Sequence, residues 1–258
     1  FNTITHTTNT FSYRKSEHKN IDFKDIVFDN QNNLWLASSI GLVRFDIETK
    51  QFEHHINSPK QLWRLKFSPN GQLLLGGKLG LTSFNLATGE FNNAHQLNNK
   101  WVTDILLDDE NKLWISTYGS GLYTQPYSSF LTTPLNHIVH SSSQKHGLAD
   151  NHILSLYQDP TGIIWIGTDG YGLHRYDKKQ IQFGHHTHQI NNPASLSSNF
   201  VRAILKDSTN SLWVGTRDGL NKQTTDGFIQ YKASDEAKGS LTNNNIFSLY
   251  EDRKKRLW

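Results

Sequence analysis

The sequence predicts an all-β fold, a β-propeller of four-stranded antiparallel blades, on three observations. A turn aspartate is followed six residues later by a tryptophan, as in Asp159 and Trp165, and the pair recurs along the chain. Taken at the Trp position, the copies are centred at 35, 74, 114, 165, 213 and 258, a spacing that belongs to propeller blades rather than to helical repeats. Behind the first five marks stands a Gly-Leu pair: Gly41-Leu42, Gly80-Leu81, Gly121-Leu122, Gly172-Leu173 and Gly219-Leu220. Such a pair suits a tight hairpin whose leucine returns to a core.

Residues 146–177 hold the fullest copy. Residues 153–157 alternate in near strand period and stop at Asp159-Pro160-Thr161-Gly162, where Asp can accept backbone N–H bonds and Gly permits positive φ. Ile163 to Thr168 and Leu173 to Tyr176 then read as two further strands joined by Asp169-Gly170-Tyr171-Gly172. The other copies are Asp29 with Trp35, Ser68 with Leu74, Asp108 with Trp114, Asp207 with Trp213 and Asp252 with Trp258. The second has lost both signature residues but keeps the strand-turn-strand pattern. Fourth strands are expected near Gln51 to His54, Glu90 to Asn92, Asn136 to Val139, Ile181 to Gly184 and Phe228 to Tyr231, with polar connectors absorbing the differences in repeat length. Residues 245–258 supply the first strand of a sixth blade and the start of its second, and residues 1–16 read as two strands that could close the ring. The 258 residues are therefore one propeller domain or a portion of one, six repeats of what is expected to be a seven-bladed ring.

Composition narrows the functional classes. An aromatic share of 12% with seven Trp and 18 Gly favours a sheet-rich globular chain over disorder. A net charge of +3, from 26 basic and 23 acidic residues, gives no basis for nucleic-acid binding, and Arg253 to Arg256 fall in an expected turn. With no Cys there is neither a disulfide frame nor a thiol nucleophile. No apolar run is long enough to span a membrane, so any membrane segment is expected outside this stretch, and the absence of Met points to a piece of something longer.

The recurring Trp35, Trp114, Trp165, Trp213 and Trp258 read first as packing between sheets, and Asp29, Asp108, Asp159, Asp207 and Asp252 as turn caps rather than metal ligands. Among the thirteen His, His186 and His188 would share a face of an extended segment, but no third ligand is identifiable, so neither a metal nor another cofactor is expected. No nucleophile motif, phosphate loop or paired-carboxylate signature stands out, so no catalytic residue is assigned. Four residues before each turn mark the chain reads Asp25, Arg64, Asp104, Ser155, Ala203 and Ser248, small or polar in every copy and expected near the propeller axis. The hairpins after the Trp strands and the connectors before the first strands should emerge on one face, placing Lys78, Tyr118, Asp169, Tyr171, Arg217 and Asp218 near Trp63, Trp101, Asn151, His152 and Asn199. The ligand-binding candidates are accordingly Asp25, Arg64, Asp104, Tyr118, His152, Asp169, Tyr171 and Arg217.

The segments DPTGIIWIGTDGYGLHRYD, DENKLWISTYGSGLYT and DSTNSLWVGTRDGLNK, with the connectors ASLSSNFVRAILKD, GSLTNNNIFSLYED and HGLADNHILSLYQD, resemble the two-component regulator propeller repeats. The resemblance covers nearly the whole chain and is weakest in residues 1–20 and in the second copy. It implies an extracytoplasmic, periplasmic sensor propeller of an inner-membrane protein, ahead of a transmembrane helix and a cytoplasmic histidine kinase or diguanylate cyclase, working as a homodimer. The family motif is structural, so it carries over blade residues such as Asp159, Trp165 and Gly172 and supplies no ligand contacts.

Three functions are weighed on that basis. The first is a sensor or assembly propeller that takes an oligosaccharide or other small polar ligand. The second is a lyase or hydrolase working in the central channel with His152 or Asp104 as base, and the third a ring that binds a protein partner without a small ligand.

Overall fold

The computed structural model describes Tyr13 and residues 21–141, 147–177, 182–234 and 240–258. The chain falls into two compact units, Phe1–Asn99 and Lys100–Trp258. In the first unit, β1 (Phe23–Phe28), β2 (Leu34–Ser38), β3 (Gly41–Phe45) and β4 (Phe52–His55) form one sheet. There, β5 (Leu62–Phe67), β6 (Leu73–Gly77), β7 (Gly80–Phe84) and β8 (Phe91–Asn93) form a second.

The second unit repeats this three times. Its sheets are β9 (Val102–Leu107), β10 (Lys112–Thr117), β11 (Leu122–Pro126) and β12 (Asn136–Ile138), then β13 (Ile153–Gln158), β14 (Ile164–Thr168), β15 (Leu173–Asp177) and β16 (Gln182–His186), then β17 (Val201–Lys206), β18 (Leu212–Thr216), β19 (Gly219–Thr224) and β20 (Gly227–Tyr231). All five sheets are antiparallel meanders with strands side by side in chain order, the blade architecture that the period predicts. Each fourth strand falls within two residues of its expected place. The two strands expected in residues 1–16 lie outside the described residues apart from Tyr13, which packs its ring edge-on against Phe52 at 5.6 Å.

The sixth copy differs from expectation. Residues 246–251 form no strand, and they pair with residues 257–258 only through the Glu251 to Leu257 bridge and the reciprocal Tyr250 and Trp258 backbone bonds. That is too short a ladder to count as a strand pair. The turn at 253–255 is present, closed by Lys255 N–H to the Asp252 carbonyl.

Within each unit, the second and third strands of one sheet pack on the first and second strands of the next. In the second unit Trp114, Leu122, Leu148, Ile153, Leu156, Ile164 and Ile166 form one such core, and Trp165, Leu173, Leu196, Val201, Leu212, Val214 and Phe228 the next. In the first unit Trp35, Leu42, Leu62, Leu65, Leu73, Leu75 and Phe84 do the same. Tryptophan is suited to this seam because its large ring fills the gap between two twisted sheets while its one polar atom remains at an edge.

That atom explains the spacing of six. In every copy with both residues, the indole Nε1–H donates to the turn aspartate: Trp35 to Asp29 at 2.9 Å, Trp114 to Asp108 at 2.8 Å, Trp165 to Asp159 at 3.1 Å, Trp213 to Asp207 at 2.7 Å and Trp258 to Asp252 at 3.1 Å. The other carboxylate oxygen accepts the backbone N–H groups two and four residues on, as Asp108 does from Glu110 and Lys112 at 2.9 Å each. One side chain thus caps the turn and fixes the packing ring. Burial alone would raise the carboxyl of Asp159, but hydrogen bonds from Thr161 and Trp165 and the charge of Lys206 outweigh it and hold it below the ordinary carboxylate range.

The connectors are also built to one plan. The carbonyl of Asn151 accepts the N–H groups of Gly119 and Gly121 from the preceding blade, and its Oδ1 accepts the N–H of His140 at 2.7 Å. Asn199 repeats this with Gly170, Gly172 and His188, and Asn244 with Gly219 and Ala233. Replacing Asn151 by Ala is expected to cost about 1 kcal/mol by stranding the His140 amide, whereas Asn151→Asp, which keeps the acceptor, should stay within about 0.5 kcal/mol of wild type in urea unfolding.

Candidate functional site

Each first strand carries a β-bulge at the position that the sequence marks as polar or small. The register shifts between Phe23 and Asp25, Leu62 and Arg64, Val102 and Asp104, Ile153 and Ser155, and Val201 and Ala203. At the bulge Asp25 accepts the N–H of Ile26 at 2.9 Å and, with its other oxygen, the N–H of Leu65 in the next blade at 2.8 Å. Asp104 does the same with Ile105 and Leu156 at 2.9 and 2.8 Å. These carboxylates tie adjacent first strands together within their unit. Ser155 and Ala203, at the same position, are buried, and Arg64 is half-buried.

The residue that comes after each second strand returns its N–H to the residue that precedes the first strand of the same blade. Tyr118 donates to Trp101 at 2.8 Å, Asp169 to His152 at 2.9 Å and Arg217 to Phe200 at 3.1 Å. Bridges between Tyr118 and His152 and between Asp169 and Phe200 join one blade to the next. The result in the second unit is a row running Trp101, Tyr118, His152, Asp169, Phe200, Arg217.

Side-chain contacts hold this row. The Trp101 and Tyr118 ring centroids lie 4.8 Å apart at 44°, and the His152 ring meets Tyr118 edge-on at 4.8 Å. The Tyr118 hydroxyl donates to Asp169 Oδ2 at 2.7 Å. His152 is held by Asp150, whose Oδ2 accepts its backbone N–H at 2.6 Å and its Nδ1–H at 2.9 Å. Arg217 lies over the Phe200 ring at 5.5 Å. Tyr118 is 37% exposed and Tyr171, in the adjoining hairpin, 50%. The hydrogen bond to Asp169, with burial and the charges of Asp169 and Asp150, raises the Tyr118 phenol, so it remains a neutral donor.

Of the eight candidates the structure therefore brings Tyr118, His152 and Asp169 into direct contact, with Arg217 beyond Phe200 and Tyr171 on the hairpin between. Asp104 lies at the bulge of β9, and Asp25 and Arg64 belong to the other unit. Sequence reasoning missed Asp150 and Phe200. The Asp-x-His spacing of 150 and 152, an Asx-turn pattern, is the signal that points to Asp150.

The histidines have structural work. Three on the fourth strands donate Nε2–H to the carbonyl before the hairpin glycine: His54 to Ile40 at 3.1 Å, His137 to Ser120 at 2.7 Å and His185 to Tyr171 at 2.5 Å. His140 and His188 donate Nδ1–H to the Leu148 and Leu196 carbonyls at 2.7 Å. The strand ends at His186 and leaves His188 in the connector: His186 packs against Trp165 and Phe228, as His55 packs against Trp35 and Phe84. Among the described residues no three His, Asp or Glu side chains converge as metal ligands.

A groove lies in the first unit. In the second unit the residue after one turn mark clips to the residue before the next: Asp109 exchanges bonds with Gln158 at 2.8 and 2.5 Å, and Ser208 donates twice to Glu251 at 2.7 Å. Between the first two blades these positions are Asn30 and Phe67, which cannot clip. A groove of about 500 Å³ opens there, lined by Phe28, Asn30, Phe67, Pro69 and Leu86 among others.

The two-component regulator propeller model matches residues 96–119, 147–170, 195–218 and 240–258. The first three of these segments run from a connector through the first strand, the Asp turn and the Trp strand into the row. No curated protein matches the sequence. The fold is similar to that of the extracellular domain of a protein assigned as a hybrid two component system, BT3049 of B. thetaiotaomicron, with a TM-score of 0.74 at 20% identity over 96% of this chain and 34% of that one. It is similar to the extracellular domain of BT4673 from the same organism, with a TM-score of 0.62 at 19% identity over 92% of this chain and 37% of that one. A catalytically inactive virginiamycin B lyase from Staphylococcus aureus with quinupristin also matches, with a TM-score of 0.65 at 9% identity over 89% and 74%. The chain spans about a third of the length of the first two. At these identities the likeness is one of fold.

Proposed function

We propose that this chain, whose matched segments are two-component regulator propeller repeats, forms part of the extracytoplasmic sensor propeller of a bacterial transmembrane signal-transduction receptor, of the histidine kinase or diguanylate cyclase kind. The observation that carries the reading is the phase of the repeats: the family segments coincide with the structural unit that builds the blade seam and the row beyond it. Propellers alike in fold belong to extracellular domains assigned to hybrid two-component systems. Among the described residues no helix is long and apolar enough to cross a membrane.

In this reading an oligosaccharide or other small polar ligand binds over Tyr118, His152, Asp169 and Tyr171, where exposed rings sit beside hydrogen-bonding groups. Binding shifts a two-state homodimer, and the shift crosses the membrane. The ligand can bias that equilibrium only by its difference in affinity for the two states.

Thermal unfolding against a panel of oligosaccharides and small polar metabolites tests this. A ligand at ten times its dissociation constant is expected to stabilise by about 1.4 kcal/mol. The gain should vanish in Tyr118→Ala. A panel without any shift, or a shift unchanged in that variant, would remove small-ligand sensing at this row and favour a protein partner.

A further inference from the structure

We infer that the row in the second unit selects a positively charged ligand, an amine or quaternary ammonium group held against the Trp101 and Tyr118 rings between the Asp150 and Asp169 carboxylates. This rests on the sensor reading above and names the ligand class for the same site.

The first support is the charge balance of the row. Four other aspartates of the second unit have basic partners: Asp159 has Lys206 at 3.4 Å, Asp177 has Arg175 at 3.3 Å, Asp218 has Lys232 at 2.6 Å and Asp252 has Arg256 at 2.6 Å. Asp169 instead accepts from the Tyr118 hydroxyl, and Asp150 from the backbone and ring of His152. Among the described residues neither has a Lys or Arg within ion-pair distance. Arg217, the basic residue of the row, rests over Phe200. The Asp150 side chain is only 17% exposed, so its field is screened by water less than that of a surface carboxylate.

The second support is independent of those charges. Trp101 and Tyr118 are tilted rings 4.8 Å apart, and Tyr118 keeps more than a third of its surface in solvent. Aromatic faces attract a cation placed within about 6 Å of the ring centroid, and tryptophan does so best. The chain uses the same pairing internally, with Lys112 over Trp114 at 4.8 Å and Lys222 over Trp213 at 5.2 Å. Asp169 accepts from the Tyr118 hydroxyl, and Asp150 holds the His152 ring that meets Tyr118 edge-on. A neutral sugar would use the rings and hydrogen bonds but not the uncompensated charge. An amino sugar, a choline-like headgroup and a basic side chain share the chemistry that uses all three.

The experiment compares matched probes on the full chain by isothermal titration calorimetry: choline against its uncharged isostere 3,3-dimethylbutan-1-ol, and glucosamine against glucose. The charged member of each pair is expected to bind at least about tenfold more tightly, and binding should weaken as salt rises from roughly 0.05 to 0.5 M. Asp169→Asn should lower choline affinity about fivefold or more. Tyr118→Phe, which removes the hydroxyl and keeps the ring, should hold it within about threefold, so a folding defect in one variant is recognised by the other. Equal binding of charged and neutral members, saturable binding by neither, or an unaffected Asp169→Asn would overturn the inference. Binding of a neutral oligosaccharide that is lost in Tyr118→Ala would overturn the charge preference while leaving the sensor reading in place.

Discussion

Trp114→Ala is expected to lower the unfolding free energy by about 3 to 5 kcal/mol, the range for an aromatic removed from a close-packed core. Trp114 is 1% exposed and packs with Leu122, Leu148, Ile153, Leu156, Ile164 and Ile166, so truncation opens a void at the seam between two sheets. It also leaves Asp108, itself buried, without the Nε1–H donor that faces it at 2.8 Å. Trp114→Phe separates these effects: it keeps most of the apolar ring and loses the donor, and should cost about 1 to 3 kcal/mol. Urea unfolding with an unchanged slope is the measurement. A loss below about 1 kcal/mol for the alanine variant would mean that the seam is not where this unit stores its stability.

The same pair shows what the sequence could and could not reveal. An aspartate and a tryptophan six apart lie on one hairpin, and their hydrogen bond is local, so every copy that has the bond also has the spacing. The five four-stranded sheets, their strand order and their fourth strands follow from that period, whereas the sixth copy has the turn and the Trp without the strand pair. In the second copy Ser68 stands where the aspartate would be and reverses the polarity: its hydroxyl faces Asn70 Oδ1 and the Gln72 carbonyl and donates to one of them at a time, while Leu74 at the tryptophan position is fully buried. Hydropathy alone preserved that blade.

What was not legible joins residues distant in sequence. The bond from Leu156 to Asp104 spans 52 residues, and that from Tyr118 to Asp169 spans 51, so neither leaves a local pattern. Asp104 and Asp169 look alike as polar residues at recurring positions. Their surroundings separate them: the first meets backbone of the next blade, the second a partly exposed phenol. The histidines illustrate the opposite case, in which thirteen residues suggest metal chemistry and the fold gives many of them carbonyls or aromatic rings to face.

Acid should unfold the second unit through one of those histidines before its carboxylates titrate. His174 on β15 is 1% exposed, stacked on His185 at 4.5 Å, and burial, with the neighbouring His185, pushes it down to about 3. The unfolded chain takes up a proton at this residue near pH 6.5, whereas the folded chain stays neutral there until about pH 3. Its contribution is fully present above about pH 6.5 and is lost as pH falls from there toward 3. Between pH 6.5 and 4.5 the loss is about 2 kcal/mol, the slope rising toward 1.36 kcal/mol for each pH unit as pH falls below 6.5. His186, lowered chiefly by burial between Trp165 and Phe228, adds in the same direction. Carboxyls such as Asp159 and Asp207, held below their ordinary range, lose their contribution only as pH falls through about 4 and below, so the window from pH 7 to 4.5 isolates the buried imidazoles. His174→Phe, which keeps a ring against His185, should therefore flatten the dependence by about 2 kcal/mol over that window in urea unfolding at stepped pH. An unchanged slope in that variant would show that His174 is protonated in the folded state as readily as in the unfolded one.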